Sequence, residues 1–393
     1  MTLPLGLEDA QARLLALAPV LPAETVPAQS ALGRVLAEDL FAARTQPAAD
    51  LSAMDGYALA PGAGPWRLAG ESRAGAPHLQ PLVSGEAVRI STGAIMPAGA
   101  DRVLLQEDAV CEGDMLAATD LPPPGRHIRT RGFDFGEGDL LLARGTRVTP
   151  ARLALALAGG HGHLAVTRRV RVAVMDSGDE LAGDPAACGP YQIPASNAAM
   201  IAAMLTPLGC EITRLGPVPD SRAALAAALA GAEGADILVT SGGASVGDHD
   251  LIKPALAEWG GKTAFWRVAI KPGKPLLVAT RGETVVLGLP GNPVSSFVTA
   301  FFFALPLVRA SMGDGDPLPR PVTLRAGEPL PAVGPRREFL RAVSDGEKVR
   351  LAGSQDSSAL CALAAADCLI DRPAGAPPVP AGAPVPVFRL QNG

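Results

Sequence analysis

Between residues 170 and 308 the chain alternates strand-length apolar runs with helical stretches, and that alternation narrows the fold more than any other feature. Runs at 170–175, 211–215 and 236–240 have strand length, while 197–208, 220–229 and 248–259 have helical composition and spacing. Asp220 or Ser221 supplies the N-cap of the Ala-rich helix. Residues 263–268 read as extended, 276–279 and 285–287 as the two strands of a hairpin, and 294–308 as a long apolar helix. Strands alternating with helices imply a mostly parallel sheet with right-handed crossovers. Ligands of such sheets lie beyond the carboxyl ends of the strands.

Three of those ends carry unusual loops. They are Ser177-Gly178-Asp179-Glu180, the stretch opening Ser241-Gly242-Gly243-Ala244-Ser245, and Leu289-Pro290-Gly291-Asn292-Pro293. Small residues let backbone N–H groups face a ligand, and helix N-termini beside them favour anions. Between the last two loops lies Ile-Lys-Pro-Gly-Lys-Pro at 270–275. The whole chain has five lysines, so Lys271 and Lys274 form a local concentration of compact positive charge. Glycine loops and two lysines together make a phosphate grip. No P-loop pattern and no G-x-G-x-x-G after a strand occurs, which removes support for nucleoside triphosphate hydrolysis.

Asp179, Glu180, Asp248 and Asp250 place negative charge against that grip. Each alone reads as a helix cap, but all four beside two lysines call for a bridging cation, and Mg2+ with its oxygen ligands meets the need. The pocket chemistry therefore describes a Mg2+-dependent enzyme acting on a phosphorylated or nucleotidyl substrate.

The flanks read differently. Residues 7–18 have helical spacing with acids in the first turn, ended by Pro19 and Pro22, and 31–40 form a second element. Asp55-Gly56 is a turn that opens an alternating strand, so on local sequence Asp55 is a turn residue. Short β runs separated by Gly and Pro from 66 to 122 make an all-β module, followed by a basic run of Arg126, Arg129 and Arg131 beside Asp134. Residues 150–158 are a helix with Pro at its start and Gly159-Gly160 past its end. After a Gly/Pro-rich break, 322–393 is again β-rich.

With 393 residues, two to four units are expected. A net charge of −5 gives no basic footprint for nucleic acid. The five cysteines have no metal spacing and read as thiols of a reducing compartment. Glu8 and Asp9 argue against a signal peptide, and the apolar stretch 297–308, interrupted by Pro306, is too short for a membrane span. A cytoplasmic protein is expected.

Seven motifs in order then resemble one family: Ser-Ala-Met-Asp-Gly-Tyr-Ala at 52–58, Arg-Ile-Ser-Thr-Gly-Ala at 89–94, Pro-Ala-Gly-Ala-Asp at 97–101, Gly-Asp-Glu-Leu at 178–181, Ser-Gly-Gly-Ala-Ser-Val-Gly at 241–247, the lysine segment at 270–275, and Gly-Leu-Pro-Gly-Asn-Pro-Val-Ser at 288–295. They are similar to the molybdopterin molybdenumtransferases, the MoeA family that includes the gephyrin E domain.

The resemblance implies insertion of molybdate into adenylylated molybdopterin, with AMP released and Mg2+ assisting, to form molybdenum cofactor. It implies a multidomain α/β plus β fold: an N-terminal helical and linking part split between 1–49 and 135–166, a β-rich module at 50–134, a MogA-like α/β domain at 167–315, and a C-terminal β-domain at 316–393. It also implies a homodimer whose site lies between the α/β unit of one subunit and the β module of the other, and exchange with other cofactor-biosynthesis proteins.

Under that likeness Asp55, Thr92, Asp134, Glu180 and Asp250 are the catalytic candidates. The ligand is held by Ser177, Gly178, Asp179, Ser241, Gly242, Gly243, Ser245, Lys271, Lys274, Pro290, Gly291 and Asn292, and Mg2+ by Asp179, Glu180 and Asp250. Three positions depart from the family pattern: Ala195 stands where a carboxylate is usual, Asp248 replaces Glu, and Leu251 replaces Tyr. A scaffold role and an adenylyltransferase-like activity of the α/β unit alone are the alternatives.

Overall fold

The computed structural model describes residues 4–242 and 251–390. Its centre is a six-stranded sheet in the order Glu211–Val218, Arg171–Ser177, Ile237–Ser241, Thr284–Leu289, Leu277–Arg281, Lys262–Trp266. The first four strands are parallel, and the last two add on antiparallel, so the expected hairpin closes one edge of a mostly parallel sheet. Strands buried on both faces need apolar residues at every position, and here successive side chains feed two separate cores. Val172, Val174, Ile237, Val239, Val285 and Leu287 point to one core, and Ala173, Met175, Leu238 and Val286 to the other.

Helices cover both faces. Arg222–Gly231 and Ile252–Glu258 pack on the second core, the former with Ser221 as its N-cap accepting from the Ala224 N–H. Asn197–Leu205 and the long apolar helix pack on the first.

The long helix expected over 294–308 runs unbroken over Pro293–Ser311, and Pro306, which counted against a membrane-length stretch, does not interrupt it. It is long and apolar enough to cross a membrane by composition, yet it is buried in the fold as a core helix. A π-helical turn at Ala300–Ala304 absorbs the irregularity ahead of Pro306. Pro306 has no N–H to offer the carbonyl of Phe302 one turn back. The buried Gln11 side chain from the N-terminal helix Leu7–Leu15 donates to that carbonyl instead, at 2.9 Å. One core thereby joins the N-terminal helix, the central sheet and Phe339, Leu369 and Phe388 of the C-terminal part.

Leaving that helix, the chain goes out and back along one track. Ala23–Pro27 pairs antiparallel with His163–Thr167, Leu40–Phe41 with Leu140–Leu142, and Leu51–Ser52 with Ile128–Arg129. The element expected over 31–40 is instead a 3-10 turn at Ala28–Ala31 followed by isolated bridges at Val35 and Leu36, because Gly33 takes a left-handed turn there.

Beyond this track sits the β module, a six-stranded sheet ordered Arg102–Leu105, Gly56–Leu59, Glu86–Ile90, Trp66–Ser72, Met115–Ala118, Ala109–Glu112. Its three apolar clusters draw only on residues between 57 and 128, so it shares no core with the central sheet. The Asp-Gly turn is obligatory: a Cβ on Gly56 would lie 1.9 Å from the Leu104 carbonyl oxygen.

The C-terminal strands Val322–Ala326, Arg337–Ser344, Lys348–Leu351, Cys368–Arg372 and Pro384–Arg389 close on themselves, since Arg337–Ser344 pairs with both Lys348–Leu351 and Cys368–Arg372. Ile270–Lys271 joins this sheet in parallel with Arg337 and Glu338, tying it to the α/β unit.

Candidate functional site

The strands Arg171–Ser177, Ile237–Ser241 and Thr284–Leu289 end level with one another, and the loops leaving them press together. Gly242 has a left-handed φ of 98°, and a Cβ there would stand 2.4 Å from the carbonyl oxygen of Ser177. Only glycine lets these two loops meet. The third loop is alongside: a Cβ on Gly291 would come within 3.6 Å of the Gly242 Cα. The structure thus brings Ser177, Gly178, Ser241, Gly242, Pro290 and Gly291 into one rim.

Asn197, which the sequence reading passed over as a site residue, fastens that rim. Its Nδ2 donates to Ser241 Oγ at 2.9 Å and to the Gly291 carbonyl at 2.7 Å. Ser241 Oγ is also within 3.4 Å of the Pro290 carbonyl and of Ser296 Oγ. Beneath lies Asp176, 2% exposed, whose Oδ2 accepts from the Ala198 N–H in the first turn of the Asn197–Leu205 helix at 2.9 Å. That carboxylate serves as an anion at a helix N-terminus, the position where negative charge is stabilised. With Ala195 carrying no carboxylate, Asp176 supplies one to this helix from the neighbouring strand. Burial pushes the Asp176 carboxyl above its ordinary range, against the lowering effect of the Ala198 N–H. Among the described residues, Asp176 Oδ1, Ser177 Oγ, Asn197 Oδ1 and Thr240 Oγ1 are buried without a hydrogen-bond partner.

Acids gather at the edge of the rim. Asp179 Oδ1 accepts from the Asp220 N–H at 2.9 Å, and the Glu180 carboxylate folds over Gly178, 2.4 Å from where a Cβ would be. Asp220 follows the strand Glu211–Val218, which runs three residues further than the apolar pattern suggests and so reaches the site. Burial raises the Asp220 carboxyl, and the charges of Asp179 and Glu180 raise it further. The signal for Asp220 in the sequence was its place after a parallel strand, masked by a reading as helix cap. Gly243, Ser245, Asp248 and Asp250 lie outside the described residues. Among the described residues no three His, Cys, Asp or Glu side chains are grouped to hold a metal ion by themselves.

The remaining candidates are distributed. Asn292 Nδ2 donates to Ser357 Oγ of the C-terminal part at 3.1 Å, which turns that loop toward the closed sheet. Lys271 Nζ pairs with Glu338 Oε1 at 3.0 Å and is half exposed, and Lys274 is exposed. Gly273 between them has a φ of 111° and packs on Thr299. That contact is about 9 Å along the long helix from Pro293, at 1.5 Å per residue.

Asp55 and Thr92 meet on the β module: the Thr92 N–H donates to Asp55 Oδ1 at 2.7 Å. The Thr92 N–H and hydroxyl, with Arg89 nearby, hold the Asp55 carboxyl below its usual range. Asp134 is exposed on the return track, its N–H donating to the Gln46 carbonyl. These three are not part of the rim within this chain.

A glycine-walled rim above a mostly parallel sheet, edged by carboxylates, defines the class as an α/β unit with its candidate site at the carboxyl ends of the parallel strands. Similarity to known proteins makes this particular. Residues 5–160 match the MoeA N-terminal region (domain I and II), 173–310 a probable molybdopterin binding domain, and 323–390 the MoeA C-terminal region (domain IV). A molybdopterin molybdenumtransferase of Haemophilus influenzae is 38% identical, covering 79% of this chain and 78% of its own length. One from Synechococcus elongatus is 36% identical over 93% of this chain and 94% of its own. A crystal structure of a molybdopterin biosynthesis MoeA protein from Pyrococcus horikosii superimposes with a TM-score of 0.81 at 28% identity, covering 98% of this chain and 99% of that one. The chain belongs to the molybdopterin molybdenumtransferase (MoeA) family, a family of transferases.

Proposed function

We propose that this chain inserts molybdate into adenylylated molybdopterin, releasing AMP and forming molybdenum cofactor, with Mg2+ required. The observation that carries the reading is the three-loop rim over the parallel strand ends, edged by Asp179, Glu180 and Asp220. Its location in the part that matches a molybdopterin binding domain supports the ligand class.

In this reading the loops Ser177-Gly178, Ser241-Gly242 and Pro290-Gly291 wall the phosphate end of the ligand, their glycines letting it approach the backbone closely, with Gly243 and Ser245 next in sequence. Lys271 and Lys274 add positive charge from the flank. Asn197 holds two of the loops at fixed spacing, so the wall is in place before the ligand arrives and its ordering cost is met in folding.

The acid edge fits a hard divalent cation. Asp179 and Glu180 are exposed oxygen donors that already raise the carboxyl of Asp220, and Mg2+ takes one or two carboxylates and completes its shell from water and phosphate oxygens. Asp179 and Glu180, with Asp250, would hold it. When bound, Mg2+ would neutralise charge between the acids, the phosphate and the incoming molybdate. Without a cation, the charge on Glu180 and the other acids would repel both oxyanions.

Asp55, Thr92 and Asp134 belong to the site of a second copy in this proposal. A module with its own core, sharing none with the central sheet, presents an ionised Asp55 locked by Thr92, and a homodimer would set it across the rim of its mate. The partition into 1–49 with 135–166, 50–134, 167–315 and 316–393, and a cytoplasmic location, are part of the same proposal.

The test is a reconstituted assay with molybdate, Mg2+ and adenylylated molybdopterin, reading AMP and cofactor together. AMP and cofactor should appear in equal amounts and cease in chelator; full turnover in chelator, or AMP without cofactor, overturns the reading. Mixing Asp55→Ala with Asp250→Ala subunits should restore activity through one intact site, and no recovery under subunit exchange would place both residues in one chain.

A further inference from the structure

A second cavity, of about 360 Å³, lies between the helix Asn197–Leu205, one side of the long helix and the segment leading into the C-terminal sheet. Its floor is one stripe of the long helix, Phe297, Phe301, Leu305 and Arg309, which recur every fourth residue and so share a face. Phe388 closes the floor from the C-terminal sheet, edge-on to Phe301 with ring centroids 6.3 Å apart. Met204 and Leu318 form the side walls. The size lies in the range of small-molecule sites, and the wall is that of a slot for a flat ring.

Charge decides what kind of ring. Arg309 stands at the end of the aromatic stripe, partly buried; its Nη1 donates a long hydrogen bond of 3.4 Å to the Pro317 carbonyl, and no carboxylate of the described residues lies within ion-pair distance of it. Nearby Asp314 is committed to Arg147 at 3.1 Å, and Asp316, a carboxylate in the cavity wall, is committed to Arg320 beside it at 2.9 Å, so the lining as a whole, with Arg309 and Arg389, is positive. Burial, with Arg147 close by, depresses the Arg309 guanidinium, and the charges of Asp314 and Asp316 offset this only in part. Arg389 adds a second positive group at the mouth. A partly desolvated guanidinium beside an apolar wall is costly when unpaired and is satisfied by an oxyanion meeting its planar fork.

We infer that this cavity is a binding site for a small aromatic oxyanion, its ring on Phe301 and Phe388 and its carboxylate, sulfonate or phosphate on Arg309. The anion-binding end of the site is remote from the rim: Arg309 is about 24 Å along the helix from Pro293, at 1.5 Å per residue. The inference is independent of the metal-transfer reading.

The probe is anilinonaphthalene sulfonate, an aromatic anion whose fluorescence rises in an apolar site, titrated into the full chain beside its uncharged relative phenylnaphthylamine. One saturable site per chain is expected for the anion. Arg309→Gln should weaken it roughly 10-fold or more, as removal of a charge-assisted pair does, while leaving the neutral probe unchanged. Ala203→Trp is the second variant, since Ala203 is exposed on the helix surface and a bulky ring there fills the cavity without entering the core. It should abolish binding of the anion. Absence of saturable binding, indifference of the anion to both variants, or equal affinity of the two probes in the native chain would each overturn the site.

Discussion

Replacing Asn197 with Ala removes one side chain and two hydrogen bonds that join separate loops of the rim. Both bonds are neutral and well placed, 2.9 Å to Ser241 Oγ and 2.7 Å to the Gly291 carbonyl. At about 0.5–1.5 kcal/mol net for each, the loss is about 1–3 kcal/mol, the lower figure applying if water replaces the amide at this half-buried position. If the rim binds the ligand only with its loops in register, the same free energy appears in affinity as a weakening of roughly 5- to 150-fold. Calorimetric titration with adenylylated molybdopterin gives the affinity, and urea unfolding of the same protein gives the stability. Ser241→Ala removes one of the two bonds and should fall between wild type and Asn197→Ala. Asn197→Asp keeps the size but turns a carboxylate toward the Gly291 carbonyl, so it should do no better than Ala. Affinity within about 2-fold of wild type in Asn197→Ala, alongside unchanged unfolding, would refute the fastening role.

Three further outcomes follow from the electrostatics of the site. The Asp176 carboxyl is raised by burial, so its stabilising contribution is present below the unfolded carboxyl value near pH ~3.9 and is lost as pH rises through the folded value. Asp176→Asn keeps an oxygen for the Ala198 N–H, so its stability relative to wild type should climb from acid toward neutral pH; a difference that does not vary with pH in urea unfolding would contradict this. Asp220 is raised first by burial and then by Asp179 and Glu180, so carboxyl NMR should show its titration moving down in Glu180→Gln and, if Mg2+ binds there, on addition of Mg2+ to wild type, with no movement in either case counting against the acid edge. Lys271→Ala breaks a half-exposed pair with Glu338 and should cost less than about 1 kcal/mol of stability while weakening ligand binding; unchanged titration would leave Lys271 a structural link between the two sheets.

The alternation of apolar runs and helices determined the central sheet, because a strand buried on both faces must be continuously apolar and a crossover must return over the sheet. The glycines at 242 and 56 were legible for a related reason: only glycine tolerates a carbonyl oxygen 2.4 or 1.9 Å from where Cβ would be, so the local sequence encodes the close approach. The seven ordered motifs determined the family. Tertiary structure alone decided which polar residues hold the rim together. Asn197, Asp176 and Asp220 lie on three different elements, and a hydrogen bond between residues 44 or 94 positions apart leaves no periodic trace in a sequence. The helix over 294–308 was legible, but not how its polar groups are met at Pro306: the Phe302 carbonyl accepts from Gln11, 291 residues earlier. Patterns of burial are written along the chain because each residue meets solvent or core by itself, whereas pairing of polar groups is a property of two residues that only the fold brings into range.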